Sequence, residues 1–302
     1  MSHLLGIGLI LISAASFGAM AIFAKFASES GISTHSLLFF RFSIAAAIML
    51  PMAVLQGRRF PKGQDCCILV AMGSIGYVGQ SYCYFTALTL IPPSLVAILL
   101  YLYPVLVAIL SIFFLDERLT KTKILALCIA ISGTVLVVGP EINGDMRGIL
   151  LGVGAALIYS VYNIAGARVM GRNDAMTSSL VVIASAALFY FCYNIQAGFS
   201  FPANRLHWIY IVAIAVISTV VAIYTYFQGM KLSGAVNASM LSTFEPVTTI
   251  GLAFVFLGQH IGWLQIAGAS LVLSSAVIVA RSGYKKILDR LPGEDSRDPS
   301  PH

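Results

Sequence analysis

Residues 241–257 read LSTFEPVTTIGLAFVFL, and residues 99–115 read LLYLYPVLVAILSIFFL. Each stretch is apolar enough to lie in lipid, yet each carries a proline near its middle, Pro246 and Pro104. Proline removes a backbone donor and clashes with the preceding turn, and lipid holds no water to repair the loss. The two stretches lie 142 residues apart and align without a gap. Shifting the chain by that offset extends the match. Between 70 and 137 there are 18 identities in 68 positions, among them Tyr82/Tyr224, Tyr84/Tyr226, Phe85/Phe227, Pro104/Pro246 and Val105/Val247. The same offset pairs Gly6 with Gly148, Phe17 with Tyr159 and Ser36 with Ser178. A sustained match at one offset marks a duplicated unit.

Composition sets the class. Of 302 residues, 59% are hydrophobic and 10% charged, and mean hydropathy is +0.91. A soluble domain carries about 25% charged residues. A membrane-spanning helix needs roughly 20 apolar residues, and ten stretches qualify: 4–24, 36–55, 66–89, 93–115, 123–139, 148–170, 176–197, 207–230, 235–257 and 262–281. Their runs are continuous rather than alternating, which argues for helices over a barrel. The first lacks the basic start of a signal peptide. The chain is therefore expected to be an all-α polytopic membrane protein: residues 1–140 and 143–281 are two repeats of five spans. Five is odd, so the second repeat enters the membrane inverted. Inverted repeats are typical of secondary transporters, with substrate near the midplane at the repeat interface. Residues 282–302, rich in charge, Pro and Ser, read as a disordered cytoplasmic tail.

The net charge of +6 is topological. With a cytoplasmic N-terminus, the even-numbered loops and the C-terminal segment hold 14 of the 18 Lys and Arg. That is the positive-inside asymmetry. It puts both termini in the cytoplasm and removes the reason to invoke nucleic acid; the expected partners are a small-molecule substrate, the bilayer and a coupled proton.

The inventory speaks against an enzyme. The five histidines, His3, His35, His207, His260 and His302, fall at span ends or in loops, and eleven of the twelve acids lie outside the spans. No metal-ligand spacing, nucleophile elbow or phosphate loop appears. Neither cofactor nor metal is expected. Cys66, Cys67, Cys83, Cys128 and Cys192 read as small buried hydrophobes. Gly73, Gly76 and Gly79 share a helix face, as do Gly148 and Gly152, which suits close packing or a sliding surface.

Chemistry concentrates where the helices break. Glu245 is the one acid deep in a span. A carboxylate there should face the bundle interior, either to bind an ammonium group, to carry a proton, or to cap a carbonyl freed by Pro246. Tyr82, Tyr101, Tyr103, Tyr159 and Tyr224, with Asn163 and Thr243, are candidate substrate-binding residues, because buried hydroxyls want partners and aromatic faces attract organic cations. Pro104 and Pro246 are the candidate helix-break and gating positions. Arg41, some five residues into its span, either snorkels to the surface or meets a carboxylate at the outer mouth.

Several phrases resemble a known family. PVLVAIL is followed by the linker FFLDERLT, which carries Glu117, and then by ISGTVLVVG; FEPV, FLGQHIG and a helix with Gly268 answer them in the second half. These are similar to the EamA repeat of the drug/metabolite transporter (DMT) superfamily, through about residue 281, and within it to bacterial exporters of aromatic amino acids and methyl viologen. Gln259 stands where the repeat usually has an acid, and Phe17 and Tyr159 where tryptophan is common. The resemblance implies an inner-membrane carrier exporting amino acids, aromatic ones above all, and organic cations, by alternating access. A nucleotide-sugar carrier of the same superfamily, and a membrane scaffold, are the alternatives.

Overall fold

In lipid an apolar stretch has only its own backbone to bond with, and each of the ten stretches closes its hydrogen bonds as a helix. The computed structural model describes residues 2–28, 31–88, 90–91, 93–117, 119–139, 145–202, 204–258 and 260–288. Among these residues ten helices are long and apolar enough to cross a membrane. In chain order they are span 1 (His3–Ala24), span 2 (Thr34–Leu55), span 3 (Gly63–Tyr84), span 4 (Leu95–Phe114) and span 5 (Lys121–Val138), then span 6 (Met146–Met170), span 7 (Ala175–Ala197), span 8 (Arg205–Ser233), span 9 (Ala235–Leu257) and span 10 (Trp263–Arg281). The bundle wears apolar side chains outside: Leu55, Ile75, Phe113 and Trp263 are 72–86% exposed. Lipid tails are as apolar as leucine, so such a surface is at home in a bilayer. Cys67, Cys128 and Cys192 belong to it; they are exposed rather than buried, contrary to the sequence reading.

Both spans with a proline near their middle, span 4 and span 9, are broken. Span 4 is built from Pro93–Leu100 and Tyr103–Phe114, with a turn at Tyr101 and Leu102; span 9 is built from Ala235–Ser242 and Glu245–Leu257, with a turn at Thr243 and Phe244. Each proline sits in the first turn of the second piece, where its fixed φ is pre-organised and its missing N–H is an orphan anyway. Within the turns the bonds tighten to three residues, Leu102 N–H to Leu99 O (3.3 Å) and Phe244 N–H to Leu241 O (3.1 Å). The 142 offset maps one break onto the other, Tyr101 onto Thr243 and Tyr103 onto Glu245.

A second matched irregularity lies in spans 3 and 8. Each contains a wide π-helical segment, Met72–Gly76 and Val216–Val221. π-Bulges are rare and favour functional sites.

The packing exchanges the repeats. Span 1 packs on spans 8 and 9, and its mate, span 6, packs on spans 3 and 4; span 2 pairs with span 7, and span 5 with span 10. Several of these crossings leave no room for a side chain. A Cβ on Gly133 would lie 2.7 Å from the Gly268 carbonyl, and one on Gly18 would lie 2.7 Å from the Glu245 carbonyl. Gly73 packs directly on the Val182 carbonyl and the Ser185 hydroxyl. The even-numbered connections gather at one end of the bundle. There Arg58 pairs with Asp174 (2.9 Å), Lys123 pairs with Glu117 (3.2 Å), and Lys231 donates to the Asn173 carbonyl (2.9 Å). Span 1 starts and span 10 finishes at this end. The last helix runs on to Leu288, into the segment expected to be a tail; the rest of that segment, like Gln259, lies outside the described residues.

Candidate functional site

The half of the bundle away from the paired loops holds a cavity of about 790 Å³. Its rim includes Thr34, Val138 and Gln265, at or near the ends of spans 2, 5 and 10. Its floor is at mid-depth, where the broken helices present Tyr101, Tyr103, Glu245 and Pro246, and where span 6 presents Tyr159. Such a volume falls within the range of small-molecule sites, roughly 300–1,000 Å³.

Glu245 opens the second piece of span 9, next to the tight crossing at Gly18. Thr249, one turn on, shares its one hydroxyl hydrogen between the Gly18 and Glu245 carbonyls (both 3.1 Å), which ties that crossing together. The Glu245 carboxylate itself has no hydrogen bond or ion pair among the described residues, so it does not cap a carbonyl freed by Pro246. It faces the cavity.

Arg41 is also on the cavity wall, yet only 2% exposed. It does not snorkel. Its Nε donates to the Thr219 hydroxyl (2.6 Å) and its Nη2 to the Ser218 carbonyl (3.0 Å), both in the π segment of span 8. Its guanidinium carbon lies 4.9 Å from the Phe42 ring centroid and 6.0 Å from that of Tyr77. A guanidinium has five donor hydrogens, and two have protein acceptors among the described residues.

The tyrosines divide. Tyr103 and Tyr159 meet edge to face at 4.6 Å on the floor, and Tyr159 stacks on Tyr162 behind it (5.8 Å). Tyr103 Oη donates to the Ser239 carbonyl (3.1 Å). Tyr82 is 67% exposed on the bundle's outer surface, so its expected place in the cavity is corrected. Tyr224, Asn163 and Thr243 are not on the cavity wall either. Tyr224 packs against the main core. Asn163 donates to the Tyr159 carbonyl (2.7 Å) and accepts from the Tyr226 hydroxyl, in the closed half. Thr243 turns its hydroxyl back to the Met240 carbonyl (2.6 Å). Pro104 is buried behind the floor.

Sequence reasoning missed Tyr77, Gln80, Ser81 and Tyr84, which line one wall from span 3. Their spacing, i, i+3, i+4 and i+7, is one helical face, and that stripe was the available signal. Phe17 and Thr249 were missed as well; Phe17 is the repeat mate of Tyr159, and both reach the cavity. Among the described residues no cluster of His, Cys, Asp or Glu could hold a metal.

A ten-span bundle with exchanged repeats and a mid-depth cavity is a carrier's layout, and comparison with known proteins decides which kind. Residues 4–139 and again 146–281 match the EamA-like transporter family. The chain belongs to that family. This EamA-like transporter is 30% identical over 209 residues to the aromatic amino acid exporter YddG of Ancylobacter novellus, spanning 67% of this chain and 72% of the relative. It is 26% identical to the uncharacterized transporter YyaM of Bacillus subtilis, over 82% of this chain and 84% of the relative. It is 22% identical to the uncharacterized inner membrane transporter YhbE of Escherichia coli, over 96% and 93%. One crystal structure superposes with a TM-score of 0.76 at 24% identity, covering 94% of this chain and 98% of the other, a likeness of fold. The EamA-like chain is thus a multi-pass inner-membrane transporter of the DMT superfamily rather than an enzyme.

Proposed function

We propose that this transporter exports zwitterionic amino acids, aromatic ones in preference, by alternating access, with both termini in the cytoplasm and the cavity facing outward. One observation carries the reading: Arg41 and Glu245 stand on the wall of the same cavity, unpaired with each other, with Tyr77, Tyr84, Tyr101, Tyr103 and Tyr159 on the same wall. A guanidinium takes a carboxylate through paired N–H donors. A carboxylate takes an ammonium, and ring faces take an aromatic side chain. The direction of transport follows the YddG relative, an exporter by name. The orientation follows the positive-inside pattern, whose even-numbered loops gather at the end opposite the cavity. A nucleotide-sugar substrate is disfavoured. It brings several negative charges, whereas Arg41 is the only cation among the described residues lining the cavity. Glu245 with the tyrosines also favours organic cations as a second substrate class, and the same carboxylate is the group proposed to carry a coupled proton.

Purified protein in proteoliposomes, assayed for uptake and efflux against a panel of amino acids and organic cations, tests the reading. Aromatic amino acids should move fastest. Glu245→Gln keeps shape and hydrogen bonding but cannot ionise. The variant should fold and insert, and should lose most transport or its pH dependence. Wild-type rates at every pH for both substrate classes would reduce Glu245 to a structural residue.

A further inference from the structure

We propose that Thr219, held in the π segment of span 8, is the positioning residue that aims Arg41 into the cavity and thereby sets the preference for solutes bearing a carboxylate. The inference rests on the reading of Arg41 as the carboxylate contact.

Burying an arginine in a membrane bundle is expensive unless its donors are satisfied. Span 8 supplies the acceptors by departing from α-helical geometry. In the π segment the Thr219 hydroxyl donates to the Ile214 carbonyl five residues back (3.0 Å). A hydroxyl has one hydrogen and two lone pairs. With the hydrogen spent on Ile214, the oxygen can only accept from Arg41 Nε, and it does so at 2.6 Å. The Ser218 carbonyl takes one Nη2 hydrogen at 3.0 Å. Both anchors lie on the same side of the planar fork, and Phe42 and Tyr77 hold it from the rings. The remaining donors are left for a ligand. Thr219 itself is fully buried and absent from the cavity wall, so it can act on a solute only through Arg41.

The duplication supplies an internal control. Span 2 meets the π segment of span 8, and its mate, span 7, meets the π segment of span 3. At that second crossing Ile183 stands in the place of Arg41 and Tyr77 in the place of Thr219. There Gly73 packs directly on Val182 and Ser185, with no charge between the helices. The fold therefore builds this crossing without an arginine or a threonine. The pair at the first crossing answers a demand of the site, not of the architecture. Tyr77, the mate of Thr219, completes the grip on Arg41 from span 3.

The test compares L-phenylalanine with phenethylamine, the same molecule without its carboxylate, in vesicles holding the full chain. Measuring both on one preparation makes their ratio independent of how much protein is folded. Thr219→Val should raise the half-saturation concentration for phenylalanine about tenfold to a hundredfold, the scale of a lost hydrogen bond to a charged group, and leave phenethylamine unchanged. Thr219→Ser, which keeps the hydroxyl, should restore the wild-type ratio. If Thr219→Val shifts both substrates alike or neither, while Arg41→Gln erases the preference for phenylalanine, Thr219 is a packing residue and the inference is wrong. If Arg41→Gln leaves the ratio unchanged, the carboxylate reading of Arg41 falls, and this inference falls with it.

Discussion

Tyr82 and Tyr84 differ by two positions, and that difference decides their roles. Both recur in the second repeat, so repetition cannot separate them. Two residues along a helix is about 200° of rotation at 3.6 residues per turn. Tyr84 falls on the cavity face with Tyr77, Gln80 and Ser81, and Tyr82 falls on the exposed outer face. Replacing Tyr101 or Tyr159 by alanine should weaken transport of an aromatic amino acid about fivefold in half-saturation, since a ring contact contributes about 1 kcal/mol. Tyr82→Ala should leave it unchanged, as read by concentration-dependent uptake. Glu245 was legible as a residue facing the bundle interior because an acid deep in an apolar span is costly anywhere else. Arg41 was only half legible: its depth could be counted, but the acceptors that spare it from snorkelling are 177 and 178 residues away.

At the scale of elements, the spans and both breaks could be read from the sequence because hydropathy and proline act along the chain. The π segments could not. Nothing in MGSIG or VISTVV announces a wide turn, and each is packed against distant spans, span 7 on the first and spans 1 and 2 on the second. Glycines show the same dependence on context. At Gly133 a methyl group would drive into the Gly268 carbonyl, whereas at Gly251, also inside a helix, it would meet nothing within 4 Å. The same chemical change should therefore have opposite signs. Gly133→Ala should destabilise by about 1–3 kcal/mol through overpacking. Gly251→Ala should stabilise by roughly 0.5–1 kcal/mol through the unfolded chain's lost freedom. Thermal melts of the two variants in detergent give the comparison, and equal shifts would mean that spans 5 and 10 do not cross as closely as the structure has them.

For the whole molecule, the sequence revealed the count of spans and the inversion through one offset and one odd number. It could not reveal which half of the bilayer holds the cavity, because either half is an equally good solution for a symmetric pair of repeats. Single cysteines in a cysteine-free background settle the orientation. Those at Gly57, Thr120 and Arg172 should react with an impermeant reagent only from the cytoplasm, and those at Gly31 and Ser200 only from outside. A cysteine at Leu37, on the cavity wall, should react from outside and be shielded by substrate. Reaction of the Gly57 and Ser200 positions from one side would end the inverted arrangement.

The mating of Tyr103 with Glu245 bears on how such a chain can arise. Two identical half-length chains, set antiparallel, would have to put the same residue at both central positions, giving either two carboxylates that repel or two phenols with no charge. Joining the halves in one chain lifts that constraint. Copies that still share the same prolines can then diverge at their centre, and a carboxyl group set opposite a phenol, as Glu245 is matched with Tyr103, is open to a transporter whose halves are inherited together.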